Sequence, residues 1–260
     1  MERPKVSIIT INYNNLEGLK RTVRSVLNQS YSDFEYLIVD GDSTDGSKEF
    51  VQENTESLSF WISEPDSGIF NAMNKGIMNS RGDYLLFLNS GDEFTSEGAL
   101  SEFVGHPNFG GDIVYGDYSF ENGGKQYPDE LTPFYFMRTS LPHQSTLFNR
   151  KVFDEMGGYD ERYKISSDRA FYLKCFLSEN YQFQHLPVAL SRFDLSGLSN
   201  SSEWKEQKVR EDQQIFKDLY GIYYSDLADF YQTQQALHAT RRQTAKGFWK
   251  RLVKRLKRML

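Results

Sequence analysis

Four short apolar runs, each closing in a polar or glycine-bearing turn, constrain this chain more than any other feature. Val6 to Ile11 ends at Asn12-Tyr13-Asn14-Asn15, and Phe34 to Val39 runs into Asp40-Gly41-Asp42-Ser43-Thr44-Asp45-Gly46. Leu58 to Ile62 runs into Glu64-Pro65-Asp66-Ser67-Gly68, and Tyr84 to Leu88 stops at Asn89-Ser90-Gly91-Asp92-Glu93. Runs of this length, rich in β-branched and aromatic residues, read as strands. Between them Leu16, Leu19, Val23, Val26 and Leu27 recur at helical spacing, and so do Ile69, Ala72, Met73, Gly76 and Ile77. Repeated β-α units predict a mostly parallel sheet flanked by helices, with right-handed crossovers.

Parallel strands point one way, so the four turns gather along one sheet edge, where open α/β sheets bind ligands. That edge carries Tyr13, Asn14, Asp40, Asp42, Asp66, Asn74, Asn89 and Asp92. Each turn alone is ordinary, and Ser43-Thr44-Asp45 also reads as a helix cap. Together they suit a polar ligand that needs acceptors, such as a ribose diol and a nucleobase amide. Asn89 to Glu93 reads either as an Asn/Gly/Asp turn or as oxygen ligands for a hard divalent cation. Neither G-x-G-x-x-G nor G-x-x-x-x-G-K-[ST] occurs, so dinucleotide and P-loop readings lack their anchors. Residues 40–46 have the look of a calcium loop but lack its later Glu.

Composition narrows the class. With 260 residues the chain can bury one large α/β core and a small appendage. The 20 Phe and 16 Tyr argue against disorder except near the C-terminus. A single cysteine, Cys175, reads as a small buried hydrophobe and fits a reducing compartment. Glu2-Arg3-Pro4-Lys5 leads straight into a strand, and no apolar run approaches the roughly 18 residues of a membrane span. The expectation is a cytoplasmic protein. Residues 240–260 hold nine Lys or Arg and no acid, leaving 21 basic and 36 acidic residues elsewhere. An acidic body repels polynucleotides, so no nucleic-acid partner is expected.

The second half reads differently. Ile113 to Tyr118 and Tyr127 flank Asn122-Gly123-Gly124, a hairpin signal. Lys151 to Met156 and Arg169 to Leu177 read as helices, with Asp168 at the start of the second. Asp168 is open to two readings, an N-cap or a functional carboxylate. His143 and Gln144 read as structural on their own, and His185 reads as core. Glu203 to Tyr220 and Asp226 to His238 read as packing helices.

These motifs together resemble family 2 glycosyltransferases, enzymes of the GT-A (Rossmann-like) fold. Pro4 to Thr10 with Tyr13-Asn14 is similar to the family's opening, and Val39 to Ser47 to its second signature. Arg81 to Asp92 resembles its metal-binding segment, and the likeness continues through Leu141 to Phe148, Gly157 to Asp160 and Ser167-Asp168. In this chain Gly41 separates Asp40 from Asp42, Met73 stands where many members carry arginine, and Asn89 replaces the first metal-motif aspartate.

The resemblance implies that Thr10, Tyr13 and Asp40 line the base and ribose pocket of a nucleotide-sugar, with Asp66, Asn74 and Asn89 around it. It implies Asp92 as the main ligand of Mg²⁺ or Mn²⁺ and Asp168 as the general base of a single inverting displacement. It places His143 and Gln144 near the acceptor, while Arg192 and Asp194 to Ser199 look like the segment that closes over the diphosphate in relatives. The expected donor is a UDP-sugar and the expected acceptor a glycan, lipid-linked, of a surface polysaccharide. A nucleotidyltransferase and a non-catalytic sugar-nucleotide binder are the alternatives. The expected organisation is a GT-A domain over 1–200, a C-terminal helical extension over 201–238 and a basic amphipathic tail over 239–260.

Three readings compete for that tail. Phe248, Trp249, Leu252, Val253, Leu256 and Leu260 fall on one helical face, with cations over much of the rest. A solvated helix needs no apolar stripe, and a nucleic-acid arm needs no Trp249. A helix lying in an anionic membrane surface needs both features.

Overall fold

The computed structural model describes residues 5–194 and 204–256. Residues 1–213 form one compact unit and 214–260 a second. The first half of the chain gives β1 (Val6–Asn12), α1 (Leu16–Leu27), β2 (Phe34–Asp40), α2 (Ser47–Glu53), β3 (Phe60–Ser63), α3 (Ile69–Asn79) and β4 (Tyr84–Phe87). After it come β5 (Glu93–Phe94), α4 (Ala99–Val104), β6 (Ile113–Phe120), β7 (Gly123–Lys125), α5 (Pro133–Arg138), β8 (Thr146–Asn149), α6 (Arg150–Met156), α7 (Ser167–Leu177) and β9 (Phe183–Arg192). Then follow α8 (Lys205–Tyr220) and α9 (Tyr224–Leu256).

The nine strands form one sheet in the order β3-β2-β1-β4-β8-β6-β9-β5, with β7 paired to β6. β3, β2, β1 and β4 are parallel, as their β-α spacing predicts. The sheet is mixed beyond β4, because β8 runs antiparallel to both β4 and β6. Strand three begins at Phe60, two residues into the predicted run, and a 3-10 turn over Thr55–Ser57 precedes it. The hairpin forms where Asn122-Gly123-Gly124 signals it, though Tyr127 lies past its second strand.

Apolar periodicity accounts for how helices meet the sheet. α1 buries Leu19, Val23 and Val26, and α3 buries Phe70, Ala72 and Met73. Gly76 brings α3 very close to β1, since a Cβ there would lie 2.5 Å from the Ile9 side chain. Asn15 caps α1 by accepting from the Gly18 N–H at 3.1 Å, while its amide donates to the Ser90 carbonyl at 3.1 Å. That second bond ties the helix start to the turn after β4.

A buried carboxylate locks the entry to β4. Glu35 accepts from the Ser7 hydroxyl at 2.6 Å, the Gly82 N–H at 3.1 Å and the Arg81 backbone N–H. The Arg81 guanidinium adds an ion pair at 3.2 Å. Gly82 is required here, because a Cβ would lie 2.5 Å from the Ser7 nitrogen. Glu35→Ala is expected to cost about 3–5 kcal/mol, since it strands buried donors and removes a buried pair's anion. Glu35→Gln keeps an acceptor and should cost less; equal denaturation midpoints for Glu35→Ala and wild type would refute the lock.

Candidate active site

The rim at the ends of β1 to β3 is organised by one carboxylate. Asp40 is 0% exposed, and its oxygens accept from Asn12 Nδ2 (2.8 Å), the Ser43 hydroxyl (2.6 Å), the Ser43 N–H (2.9 Å) and the Ser63 hydroxyl (2.7 Å). It therefore shapes the rim from below and presents little free acceptor to a ribose. Thr10 also departs from the expected lining role. It is fully buried, donates to the Leu88 carbonyl at 2.7 Å and shares a bond with the Tyr36 hydroxyl.

The exposed part of the rim is Tyr13 and Asp66. Tyr13 is 65% exposed. A Cβ at position 41 would lie 3.1 Å from the Tyr13 ring and 2.5 Å from Asp66 Oδ2, so Gly41 opens a slot between them. Asp66 keeps its place through the Gly68 N–H, at 2.9 Å to Oδ1. Asn74 is directed elsewhere. Its amide bonds both the N–H and the carbonyl of Tyr159 and donates to Glu161, stapling α3 to the 158–161 loop.

The turn after β4 is built around a residue that sequence reasoning passed over. The Thr22 hydroxyl on α1 accepts from the Gly91 N–H at 2.9 Å and donates to the Asp92 carbonyl at 2.7 Å. Gly91 has φ +105°, and a Cβ there would meet Asp194 Oδ2 at 2.6 Å, so only glycine fits. Asp92 is 4% exposed and accepts from the Asp194 N–H at 2.9 Å. Burial pushes its carboxyl up to about 7, with the Asp194 and Glu93 charges adding and the Asp194 N–H and His143 opposing. Arg21 holds those two neighbours, Asp194 at 2.9 Å and Glu93 at 3.6 Å.

One imidazole links this turn to α7. Asn89 Nδ2 lies 3.1 Å from His143 Nε2, and His143 Nδ1 lies 3.6 Å from Asp168 Oδ2. An amide nitrogen only donates, so in the neutral ring Nε2 accepts and Nδ1–H points at Asp168. Burial pushes the His143 pKa down, but the neighbouring Asp168 carboxylate, with the Asp92 charge, outweighs it and holds it above the ordinary value. Burial likewise raises Asp168, yet His143, the Lys208 charge and the Arg169 N–H hold it below the usual carboxylate range. Gln144 is buried beside them, at 4% exposure.

Asp168 is not the cap of its helix. Ser166 takes the N-cap position, and Asp168 is the second helical residue, its Oδ1 accepting from the Arg169 N–H at 2.7 Å. The loop before it is gripped by Glu211 on α8, which accepts from the N–H groups of Lys164 (2.8 Å), Ile165 (2.9 Å) and Ser166 (3.0 Å). Nothing in the helical periodicity of 203–220 singles out Glu211, whose role arises from a distant loop. His185 is buried in β9 between Asp117 and Asp129, as a core reading predicts. The expected closing segment falls at 195–199, outside the described residues, apart from Arg192 at the end of β9 and Asp194 beside Asp92.

Among the described residues no group of three or more His, Cys, Asp or Glu could hold a metal alone. What this turn offers is the Asp92 carboxylate and the Asn89 Oδ1, a buried oxygen with no hydrogen-bond partner. Two hard oxygens fit a Mg²⁺-type ion that takes its remaining ligands from phosphate and water.

The family model described as Glycosyl transferase family 2 matches residues 7–172, a span that includes Tyr13, Asp66, Asn89, Asp92, His143 and Asp168. The chain belongs to glycosyl transferase family 2. Like other members it is a transferase, and it is similar over most of its length to curated relatives. An uncharacterized glycosyltransferase of Mycobacterium tuberculosis is 32% identical over 230 residues, covering 83% of this chain and 82% of the relative. A PGL/p-HBAD biosynthesis glycosyltransferase of Mycobacterium bovis is 29% identical over 218 residues, covering 79% and 83%. Among solved structures, S. aureus TarS 1-349 in complex with UDP-GlcNAc superposes with a TM-score of 0.65 at 19% identity, over 86% of this chain and 69% of that one. That likeness fixes the fold as GT-A.

Proposed function

We propose that this family 2 glycosyltransferase moves a sugar from a UDP-sugar to a hydroxyl of a lipid-linked surface glycan, by one inverting displacement assisted by a divalent cation. The observation that carries the reading is the His143 contact with both Asn89 and Asp168, which joins an oxygen-rich turn to an ionised carboxylate. The fold neighbour crystallised with UDP-GlcNAc supports a UDP-sugar donor, and the relative named for PGL/p-HBAD biosynthesis supports a biosynthetic acceptor.

In this reading Tyr13 offers its exposed ring to the nucleobase, and Asp66 stands across the Gly41 slot as an acceptor for ribose hydroxyls. Asp92 and Asn89 Oδ1 hold the cation. When bound, it offsets the charge that builds on the leaving diphosphate. Asp168 accepts the proton of the attacking hydroxyl. Because its pKa is held low, it remains ionised across the physiological range and takes that proton only as the oxygen bonds to the anomeric carbon and becomes strongly acidic. His143 orients the carboxylate through Nδ1 and the Asn89 amide through Nε2.

A panel of nucleotide-sugars tests the reading by release of nucleoside diphosphate. One UDP-sugar should support release that EDTA abolishes. Release from no donor, with either Mg²⁺ or Mn²⁺ present, would overturn it.

Residues 239–260 are proposed to hold the enzyme on the inner, anionic face of a membrane. No helix among the described residues is long and apolar enough to cross a membrane. α9 runs unbroken to Leu256, while 257–260 lie outside the described residues. Each Lys or Arg near an anionic surface contributes about 1 kcal/mol, so nine of them with an apolar stripe suffice for attachment. Removal of 240–260 is expected to abolish sedimentation with phosphatidylglycerol liposomes and leave donor hydrolysis unchanged. Equal sedimentation of both proteins would refute it.

A further inference from the structure

The helix that grips the approach to Asp168 lies outside the span that the family model covers. That span ends at residue 172, and α8 begins at Lys205. Glu211 on α8 is 9% exposed and takes four donors on its two oxygens. Oε1 accepts from the Lys164 N–H at 2.8 Å and the Gln207 amide at 2.9 Å. Oε2 accepts from the Ile165 N–H at 2.9 Å and the Ser166 N–H at 3.0 Å. The next residue, Asp212, pairs with the Arg169 guanidinium of α7, a second tie between the same two helices. Lys208 Nζ stands 3.5 Å from both the Ser166 hydroxyl and Asp212 Oδ2.

Three consecutive backbone N–H groups converging on one carboxylate fix the path of the chain into α7. Ser166, the last of them, is the N-cap of that helix, and its carbonyl accepts from the Ala170 N–H at 3.0 Å. In a capping box the N-cap N–H is taken by a Glu or Gln three residues on. That place is held here by Arg169, and Glu211 takes the N–H instead. Burial raises the Glu211 carboxyl, but Gln207 and the three N–H groups hold it below the usual carboxylate range, so it keeps its charge. Asp168 follows Ser166 by two residues, and its approach to His143 Nδ1, at 3.6 Å, depends on where α7 begins.

We propose that Glu211 is a positioning residue for glycosyl transfer: its carboxylate, bound to the backbone of 164–166, sets the start of α7 and so aims Asp168 at the attacking hydroxyl. The helix beyond the family-matched span is then part of the catalytic apparatus as well as a packing element. The inference rests on the transfer reading, in which Asp168 is the base. It adds to that reading a residue that acts through another and touches no reacting atom.

Glu211→Gln is the informative variant, because it keeps the shape of the side chain. Each oxygen serves two donors, so the new amide opposes two of them with a donor of its own whichever way it turns. Ring NMR signals of the four histidines read the result without turnover. His143 signals should move in the direction that Asp168→Asn moves them. Those of His185, held in β9 between Asp117 and Asp129, should stay in place as the check on folding. Turnover, read as UDP release from UDP-glucose, UDP-galactose and UDP-GlcNAc, should fall by about 10²-fold, the cost of a displacement of roughly 1 Å. Calorimetric affinity for UDP with Mg²⁺ should be unchanged. Added to Asp168→Asn, the substitution should cost nothing further, since two residues that act as one are not additive. Wild-type His143 signals in Glu211→Gln, or losses that multiply in the double variant, overturn the positioning role. Shifted signals with full turnover would instead overturn Asp168 as the base, and with it the reading beneath.

Discussion

Asp92→Asn is expected to make the protein more stable and nearly inactive at once. The carboxyl is raised from 3.8 to about 7 by burial, so the folded state holds its proton more tightly than the unfolded chain does. The sign follows from linkage. A raised carboxylate imposes no penalty below about pH 4, a growing one between 4 and 7, and the full one above. At 1.36 kcal/mol per unit the full penalty is about 4 kcal/mol in metal-free buffer. Asparagine keeps the acceptor for the Asp194 N–H and removes the charge, so its advantage in thermal midpoint should be large at pH 8 and vanish toward pH 4. Turnover should fall by about 10²–10³, as when one electrostatic stabiliser of a transition state is lost. In wild type, apparent metal affinity should weaken as pH drops below about 7, because the protonated carboxyl cannot ligate. A variant that turns over normally and is still inhibited by EDTA would move the metal away from Asp92.

Asp168→Asn separates chemistry from binding. The amide preserves shape but accepts no proton, and transfer should fall by about 10²–10⁴ while calorimetric donor affinity is unchanged. A spectroscopic signature accompanies the loss. His143 is held above its ordinary value by the Asp168 carboxylate, 3.6 Å away, against the opposing effect of burial. With Asp168 neutral, burial prevails, and the imidazole should titrate lower by NMR. Loss of donor affinity in this variant would assign Asp168 to the donor pocket or to the fold.

The parts of this molecule that were legible in its sequence are those governed by local period. The strands and helices from Val6 to Phe87 stand close to where apolar spacing puts them, and the polar turns share one sheet edge. Short elements held by tertiary contacts gave no such signal. β5 has two residues and exists because Glu93 and Phe94 pair with Arg192 and Ser191, almost a hundred positions on. α4 and α5, of six residues each, are too brief for a period to emerge. Thr22 and Glu211 were invisible for the same reason, since a hydroxyl or carboxylate on a helix reads as surface until the loop it holds is known. Polar residues in turns were recognisable as a group, but not by depth. Tyr13 and Asp40 come from adjacent signatures, yet one is exposed and the other fully buried.

The Asp40 cluster bears on the thermodynamics of donor capture. Four hydrogen bonds from Asn12, Ser43 and Ser63 converge on one buried carboxylate, so the ends of three strands are clamped before any ligand arrives. A rim already rigid loses little conformational freedom when a nucleotide docks on it. Nucleotide binding to this half should therefore carry a small unfavourable conformational entropy, with affinity coming from contacts made against a preformed surface.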